Sequence, residues 1–226
     1  MIAPGIHFLD ARGPEGMRIY AVGDVHGRLD RGPNSKGVLD FLIEVRKRDP
    51  RHLMLAGNHD IGFLDFLDVP DADGLFMRYG GIQTAQSYGV VLNESGGAWF
   101  GRSEAALRQG HAALVEAVPK SHVDFLQSLA FSLTFGDFFF CHAGIRPGIA
   151  LESQSTQDLI WIRDVFHNHS GLHPKIVVHG HTPVPEAEVM VNRVNIDTLA
   201  YQTGNLSALV VDGADKRILV VSGERA

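Results

Sequence analysis

Residues 17–27 read MRIYAVGDVHG, an apolar run that ends in a glycine-flanked Asp-x-His turn. The apolar run is typical of a buried strand, and Asp24 and His26 follow at its carboxyl end. Ligand sites of open α/β sheets lie at the carboxyl ends of strands. This stretch therefore predicts a strand that delivers a carboxylate and an imidazole to a site.

Three further stretches combine an apolar run with a polar turn: HLMLAGNHD (52–60), FFFCHAG (138–144) and KIVVHGH (175–181). The polar side chains at these turns are Asn58, His59, His142, His179 and His181. One such turn alone is more often a cap or a hydrogen-bonded core residue, but four in one chain indicate a metal site. Carboxylate, imidazole and amide donors without a thiolate suit Mn, Fe, Zn or Ni better than copper(I).

The order of the predicted elements favours an α/β fold. SKGVLDFLIEVRKR (35–48) has helical spacing, and another helix is predicted after GNHD, so strands and helices alternate in the first part of the chain. Residues 70–125 contain short helical patterns broken by Gly and Pro. We expect a single domain over residues 1–226 with a small helical cap inserted at 70–125, followed by a strand-rich half with one helix near TQDLIWIRDVF (156–166).

Composition limits the classes of function. The chain has 226 residues and a net charge of −6, which disfavours a nucleic-acid partner. Cys141 is the only cysteine, so an intramolecular disulfide and a Cys-rich zinc site are excluded. The N-terminal sequence has no signal-peptide pattern, and no apolar run reaches the length of a membrane span. We expect a cytoplasmic protein without a membrane partner; the sequence leaves its oligomeric state open.

Five motifs occur in a fixed order: GDVHG, DRGPNSKGVLDFL, AGNHD, CHAG and VVHGHTP. This set resembles the calcineurin-like metallophosphoesterases, and within them the bacterial phosphoprotein phosphatase family of the serine/threonine type. RYGGIQTAQSYGV, LIWIRDVF and VNIDTLAY also resemble that bacterial group, so the resemblance runs from about Met17 to Val221. It implies a four-layer α/β/β/α sandwich with two divalent metal ions between its two sheets and a water bridging them.

The resemblance also assigns roles to individual residues. The matching metal ligands are Asp24 and His26 for the first metal, and Asn58, His142 and His181 for the second. His59 matches the general acid that protonates the leaving oxygen, and Asp30 matches the carboxylate that orients it. Arg31 and Arg163 match the guanidinium pair that grips phosphate. His179 matches no family role and is expected to be structural. Manganese is the first expectation for the metals, with Fe, Zn or Ni as alternatives.

One part of the family pattern has no counterpart in this chain. In the family a second turn reads GDxxDRG, and its first Asp bridges both metals. Here GRLD (27–30) runs straight into RGP, so a helix, a strand and the bridging Asp are missing. Asp30 cannot serve both turns. Closing a buried sheet without this unit should cost on the order of several kcal/mol of apolar burial. Two explanations stay open: a natural variant that works without this unit, and a segment that has been removed or is missing from this sequence, which the cost favours.

We expect a metal-dependent phosphomonoesterase that works by direct attack of a metal-bridging water, with phosphoserine and phosphothreonine in proteins as the first substrate class. One alternative is hydrolysis of dinucleoside polyphosphates such as diadenosine tetraphosphate, which GNHD in place of GNHE favours slightly. The other is a catalytically impaired phosphate-binding or scaffold protein, because the bridging Asp segment is absent. The partner is thus a phosphorylated protein or a small phosphate ester. Cys141 lies in an apolar strand and is expected to pack rather than react.

Overall fold

The strands of the described residues form two sheets. The computed structural model describes residues 5–24, 34–92 and 104–223. The strands in these ranges are β1 (Arg18–Val22), β2 (Ser132–Phe135), β3 (Phe138–Cys141), β4 (Ile176–His179), β5 (Glu188–Val189), β6 (Arg193–Asn195), β7 (Asn205–Asp212) and β8 (Asp215–Ser222). The first sheet has the order β1-β7-β8 and is antiparallel. The second has the order β2-β3-β4-β6-β5, with β3, β4 and β6 parallel to one another.

Strand β1 forms where the sequence predicts it, but the prediction that it is buried is wrong. Tyr20 and Val22 are 55% and 53% exposed, whereas Ile19 and Ala21 pack against the core. Among the described residues β1 pairs with β7 alone. Side chains alternate between the two faces of a strand, so the outer face of this antiparallel sheet carries the exposed residues.

Strands β3 and β4 are buried at every residue, as expected for parallel strands that are covered on both faces. Phe140 of β3 lies opposite Val178 of β4, so the two strands end at the same edge of the sheet. This register places His142 and His181, which follow the two strands, near each other.

One apolar core joins the two sheets. Its buried members are Ala11, Phe138, Phe140, Ile176, Val178, Val194, Ile196, Leu209 and Val211. All of them except Ala11 and Ile196 lie on strands of the two sheets, as in sheet-on-sheet packing. The two-sheet α/β fold class expected from the motifs is confirmed.

The helices of the described ranges are α1 (Ser35–Arg48), α2 (Asn58–Asp68), α3 (Leu75–Arg78), α4 (Gly81–Ser87), α5 (Glu104–Ala117), α6 (Lys120–Gln127), α7 (Thr156–Trp161), α8 (Asp164–His167) and α9 (Ala200–Thr203). A 3-10 turn covers Leu151–Ser153. None of these helices has the length and apolarity needed to cross a bilayer.

Contacts divide the chain into two compact units. The strand unit comprises residues 1–25, 55–57 and 130–226, and the helical unit comprises 26–54 and 58–129. In the helical unit α1 to α6 share one apolar core that includes Leu39, Phe63, Phe76 and Leu114. The limits of the cap at 70–125 stay a prediction.

Helix α1 spans the residues that the sequence predicts. The Asn34 side chain accepts a hydrogen bond from the backbone N–H of Gly37, which caps the first turn. Three basic residues, 46–48, occupy the last turn, where they complement the helix dipole.

Two sequence predictions of local structure are wrong. Residues 52–60 do not form a strand: only Leu55 pairs, as a bridge to Ala130. His52 turns back to the carbonyl of Asp49, and α2 begins already at Asn58. The single helix predicted near TQDLIWIRDVF is two short helices, because Ile162 and Arg163 have non-helical ψ angles of 142° and −100°.

Candidate metal and phosphate site

Asp24 follows β1 and lies against the end of β4. Its Oδ2 accepts a hydrogen bond from the backbone N–H of His181 at 3.1 Å and lies 3.6 Å from Nδ1 of His142. Two glycines leave the space that this close approach requires. A Cβ on Gly180 would lie 2.1 Å from Oδ1 of Asp24, and a Cβ on Gly23 would lie 2.0 Å from the carbonyl oxygen of Ile196. The turn sequences GD and HGH are therefore needed for packing as well as for chemistry.

His142 and His181 are in direct contact. Nε2 of His142 lies 3.1 Å from Nδ1 of His181, and the ring centroids are 4.9 Å apart. His181 is buried and has a φ of 63°, in the left-handed region that costs non-glycine residues energy. A Cβ on Gly57 would lie 3.0 Å from the His142 ring, so this turn too must stay small.

Arg163 also contacts this cluster of side chains, through His181. Its Nε donates a hydrogen bond to Nε2 of His181 at 3.1 Å, and the break between α7 and α8 turns its side chain toward this ring. A guanidinium only donates, so Nε2 of His181 is the acceptor and the proton of this ring lies on Nδ1. That proton is directed to Nε2 of His142, whose own proton then lies on Nδ1, facing Asp24. These tautomers follow from the hydrogen-bond partners.

Sequence analysis missed Trp161, which contacts His181 edge-on with ring centroids 5.8 Å apart. The available signal was its position two residues before Arg163 in the stretch LIWIRDVF. Trp161 ends α7 and supports the imidazole from the side.

The donor chemistry of this group fits a divalent cation. It offers one carboxylate and two imidazoles, and the thiol of Cys141 is directed instead to the carbonyl of Gly144. Within residues 5–24, 34–92 and 104–223, no three His, Cys, Asp or Glu side chains are arranged to hold a metal. The two ring nitrogens are hydrogen-bonded to each other, so this contact must open before both can act as ligands.

Asn58 and His59 belong to the helical unit, where they open α2. Asn58 is 3% exposed and follows Gly57 directly. The ring of His59 meets the ring of Tyr79 edge-on, with centroids 6.1 Å apart and an interplanar angle of 85°. Both rings line a recess of about 20 Å³ whose polar lining includes Ser35, Asp60 and Thr84.

The structure thus brings together Asp24, His142, His181 and Arg163 in the strand unit. The other predicted positions, His26, Asp30 and Arg31, lie in residues 25–33, outside the described residues. The GRLDRGP junction lies there too.

A second group of histidines packs around Phe166 in the strand unit. The rings of His167, His173 and His179 lie 5.6, 5.7 and 5.0 Å from the Phe166 ring. Within the described part of the chain, their Nε2 atoms and Nε of Arg193 are buried without a hydrogen-bond partner. Burial lowers the pKa of His179 to about 3 and that of His173 to about 4. His179 is therefore a neutral core residue, in agreement with its expected structural role.

Comparison with known proteins identifies the class. The family model for calcineurin-like phosphoesterases matches residues 19–211. The chain belongs to this family and is a hydrolase that acts on phosphoric ester bonds, so the motif-based assignment is confirmed. Members of the family generally use two divalent metals.

The individual relatives are named for a narrower activity. The chain is 27% identical to a bis(5'-nucleosyl)-tetraphosphatase (asymmetrical) PrpE of Anoxybacillus flavithermus, over 87% of this chain and 76% of the relative. It is 25% identical to the protein of the same name from Bacillus thuringiensis, with the same coverage. A crystal structure of a candidate diadenosine tetraphosphatase superposes with a TM-score of 0.58 at 16% identity, covering 96% of this chain and all of that one. These relatives do not support the finer assignment to protein phosphatases.

Proposed function

We propose that this chain hydrolyses dinucleoside polyphosphates, with diadenosine tetraphosphate as the model substrate. The observation that carries the substrate class is the alignment with bis(5'-nucleosyl)-tetraphosphatases over 87% of the chain. The exposed aromatic ring beside His59 is consistent with a substrate that ends in a nucleoside. These observations support dinucleoside polyphosphates better than phosphoproteins as the substrate class.

The metal ligands of the proposal are Asp24, His142 and His181, with Asn58 and His26 completing the set. When bound, divalent ions supply a water of lowered pKa and neutralise charge on the phosphoryl oxygens. The chain's own part is positioning. Asp24 bonds the backbone of His181, which holds the turn after β4 against the end of β1. The parallel register of β3 and β4 places the two imidazoles at the same edge of the sheet, and their 3.1 Å contact opens when both become ligands.

Arg163 is the proposed phosphate-binding residue in the described part of the chain. Its Nε is used to orient His181, and the terminal guanidinium nitrogens form the fork that suits bidentate contact with phosphate. One side chain thereby couples the position of a metal ligand to the position of the substrate. His59 is the proposed general acid for the leaving oxygen, and its ring is held edge-on by Tyr79.

The test compares substrates on purified protein with Mn²⁺ added. Diadenosine tetraphosphate should give unequal products, a nucleoside triphosphate and a nucleoside monophosphate, separable by ion exchange. The proposal is overturned if kcat/KM for a phosphoserine peptide exceeds that for diadenosine tetraphosphate.

A protein-phosphatase activity is the second candidate, because DRGP, RYGGIQTAQSYGV and LIWIRDVF resemble that group. The phosphoserine peptide in the same assay decides between the two. Absence of turnover on both substrates, with metal bound, would instead favour the impaired phosphate-binding protein.

A further inference from the structure

Tyr79 is an aromatic residue whose ring is held in place and still exposed. It ends α3, and its backbone N–H donates to the carbonyls of Leu75 and Phe76 at 3.1 and 3.4 Å. Gly80, with a φ of 96°, then turns the chain into α4. The side chain is 46% exposed although its ring lies against His59. A rigid backbone and a half-exposed ring are the features of a stacking surface.

The position of this ring relates it to one part of the substrate. The oxygen that receives a proton from His59 belongs to the leaving group and lies within hydrogen-bonding reach of that imidazole. Tyr79, with its ring centroid 6.1 Å from that of His59, therefore lies next to the leaving group. A phosphoryl group under attack lies on the other side of the breaking bond.

The recess beside these rings is too small for a planar base. Its volume of about 20 Å³ corresponds to roughly one water molecule. This recess therefore does not hold a base, and the exposed part of Tyr79 is the aromatic surface that is open to a base near His59. Stacking on one aromatic side chain accepts any base, because every base has a π-face.

We propose that Tyr79 stacks the nucleobase of the leaving nucleotide, and that this leaving group is a nucleoside monophosphate. The inference rests on the proposed function. In a monophosphate a single phosphate separates the leaving oxygen from the nucleoside, so the base stays close to His59. With a triphosphate as the leaving group, three phosphates would carry the base away from Tyr79.

The reaction then has a defined course. Water attacks the β-phosphorus of the dinucleoside tetraphosphate, counted from the stacked nucleoside. A bond forms between the water oxygen and this phosphorus, and the bond from phosphorus to the oxygen that bridges to the α-phosphorus breaks. His59 donates its proton to that bridging oxygen, which leaves on the nucleoside monophosphate. One water proton is released, and the water oxygen remains in the terminal phosphate of the nucleoside triphosphate.

Isotope labelling tests this course on the unaltered protein. Diadenosine tetraphosphate is hydrolysed in H₂¹⁸O with Mn²⁺, and the products are analysed by mass spectrometry. The label is expected in ATP. Label in AMP means attack on the α-phosphorus with a triphosphate leaving group, and overturns the proposal.

Variants test the stacking itself. Tyr79→Ala should raise KM for diadenosine tetraphosphate about 5- to 100-fold, the range for loss of one base–aromatic contact. Tyr79→Phe keeps the ring and should restore KM to within about threefold of the unaltered protein. Phe41→Ala is the control, since Phe41 is a 65% exposed aromatic on α1 of the same unit, and it should leave KM unchanged.

Inorganic tripolyphosphate has the same anhydride bond but no base. The loss in kcat/KM on Tyr79→Ala should be at least about fivefold larger for diadenosine tetraphosphate than for tripolyphosphate. Equal losses would show that Tyr79 only supports His59, and would overturn the inference. If the unaltered protein does not cleave diadenosine tetraphosphate, the proposed function itself fails, so the two failures are distinguishable.

Discussion

Nε of Arg163 lies 3.1 Å from Nε2 of His181, and this one contact sets the proton positions of two histidines. His181 must accept from the guanidinium, so its Nδ1 donates to His142, whose remaining proton faces Asp24. The sequence predicts Arg163 only as a phosphate-binding residue. In the structure it also forms a hydrogen bond with His181, a proposed metal ligand.

Arg163→Lys should lower kcat/KM for diadenosine tetraphosphate about 10- to 100-fold, the range for one hydrogen bond to a charged group. A lysine cannot orient His181 and form a planar fork at the same time. Steady-state kinetics measure the effect. Arg146→Lys is the matched control, because Arg146 pairs with Asp158 at the surface of the same unit. Equal losses in both variants would contradict the role of Arg163.

Gly180→Ala should weaken metal binding at least about tenfold, because the added Cβ would lie 2.1 Å from Oδ1 of Asp24 and displace this carboxylate. Calorimetric titration with Mn²⁺ measures the change. Gly223→Ala is the control: among the described residues a Cβ there would approach only the carbonyl oxygen of Gly204, at 3.8 Å, and metal affinity should be retained. Unaltered affinity in the first variant would remove Asp24 from the ligand set.

His59→Asn should lower kcat about 10²- to 10⁴-fold, the range for general acid–base catalysis. The loss should be larger for phenyl phosphate than for 4-nitrophenyl phosphate. These two substrates have similar shapes, but the nitrophenolate leaves with less help from a proton. The ratio of the two losses is the measurement, and a ratio of one would count against a general acid at this position.

Metal removal and stoichiometry form the fourth prediction. EDTA should abolish turnover and Mn²⁺ should restore it. Because the chain has no GDxxDRG turn to supply a bridging carboxylate, the charges of two cations are less well compensated. We expect at most one metal ion per chain to remain bound through gel filtration. Activity should still rise as Mn²⁺ is added beyond one equivalent. Elemental analysis showing two tightly held metals would refute this, as would full activity in metal-free protein.

Stability should fall as the pH is lowered from about 6.5 toward about 4. His173 has a folded pKa of about 4, lowered chiefly by burial, whereas an unfolded histidine titrates near 6.5. Between these values the unfolded chain binds the extra proton, so acid favours unfolding. Thermal melts across this window give the slope. His173→Phe keeps the ring stacked on Phe166 and should flatten the slope; an unchanged slope would assign the effect to other groups.

The ends of β3 and β4 could be predicted from sequence, because each is a short apolar run, FFFC or IVV, that is followed by a glycine-containing polar turn. The convergence of His142 and His181 follows from their register. The contacts of Trp161 and Tyr79 could not be predicted. Both rings reach their histidines through a bend in the chain, at Arg163 and between α3 and α4, and a bend of this kind leaves no periodic signal.

The burial of β1 was mispredicted for a related reason. An apolar run indicates a strand, but the exposure of a strand depends on which other elements cover it. The sequence around Tyr20 and Val22 does not show which elements those are. The Phe166 histidine group was missed because His167, His173 and His179 come from three separate segments that only the tertiary fold brings together.

The reactivity of Cys141 can report how often the surrounding structure opens. Cys141 has the only thiol of the chain and is buried in β3, where burial raises its pKa. A reagent such as DTNB reacts with the exposed thiolate, so it can label this buried residue only when the structure around the end of β3 opens. The rate of labelling therefore counts openings of the sheet edge that carries His142. Slower labelling on addition of a divalent ion would report, without any substrate, how strongly that ion holds the two strand ends together.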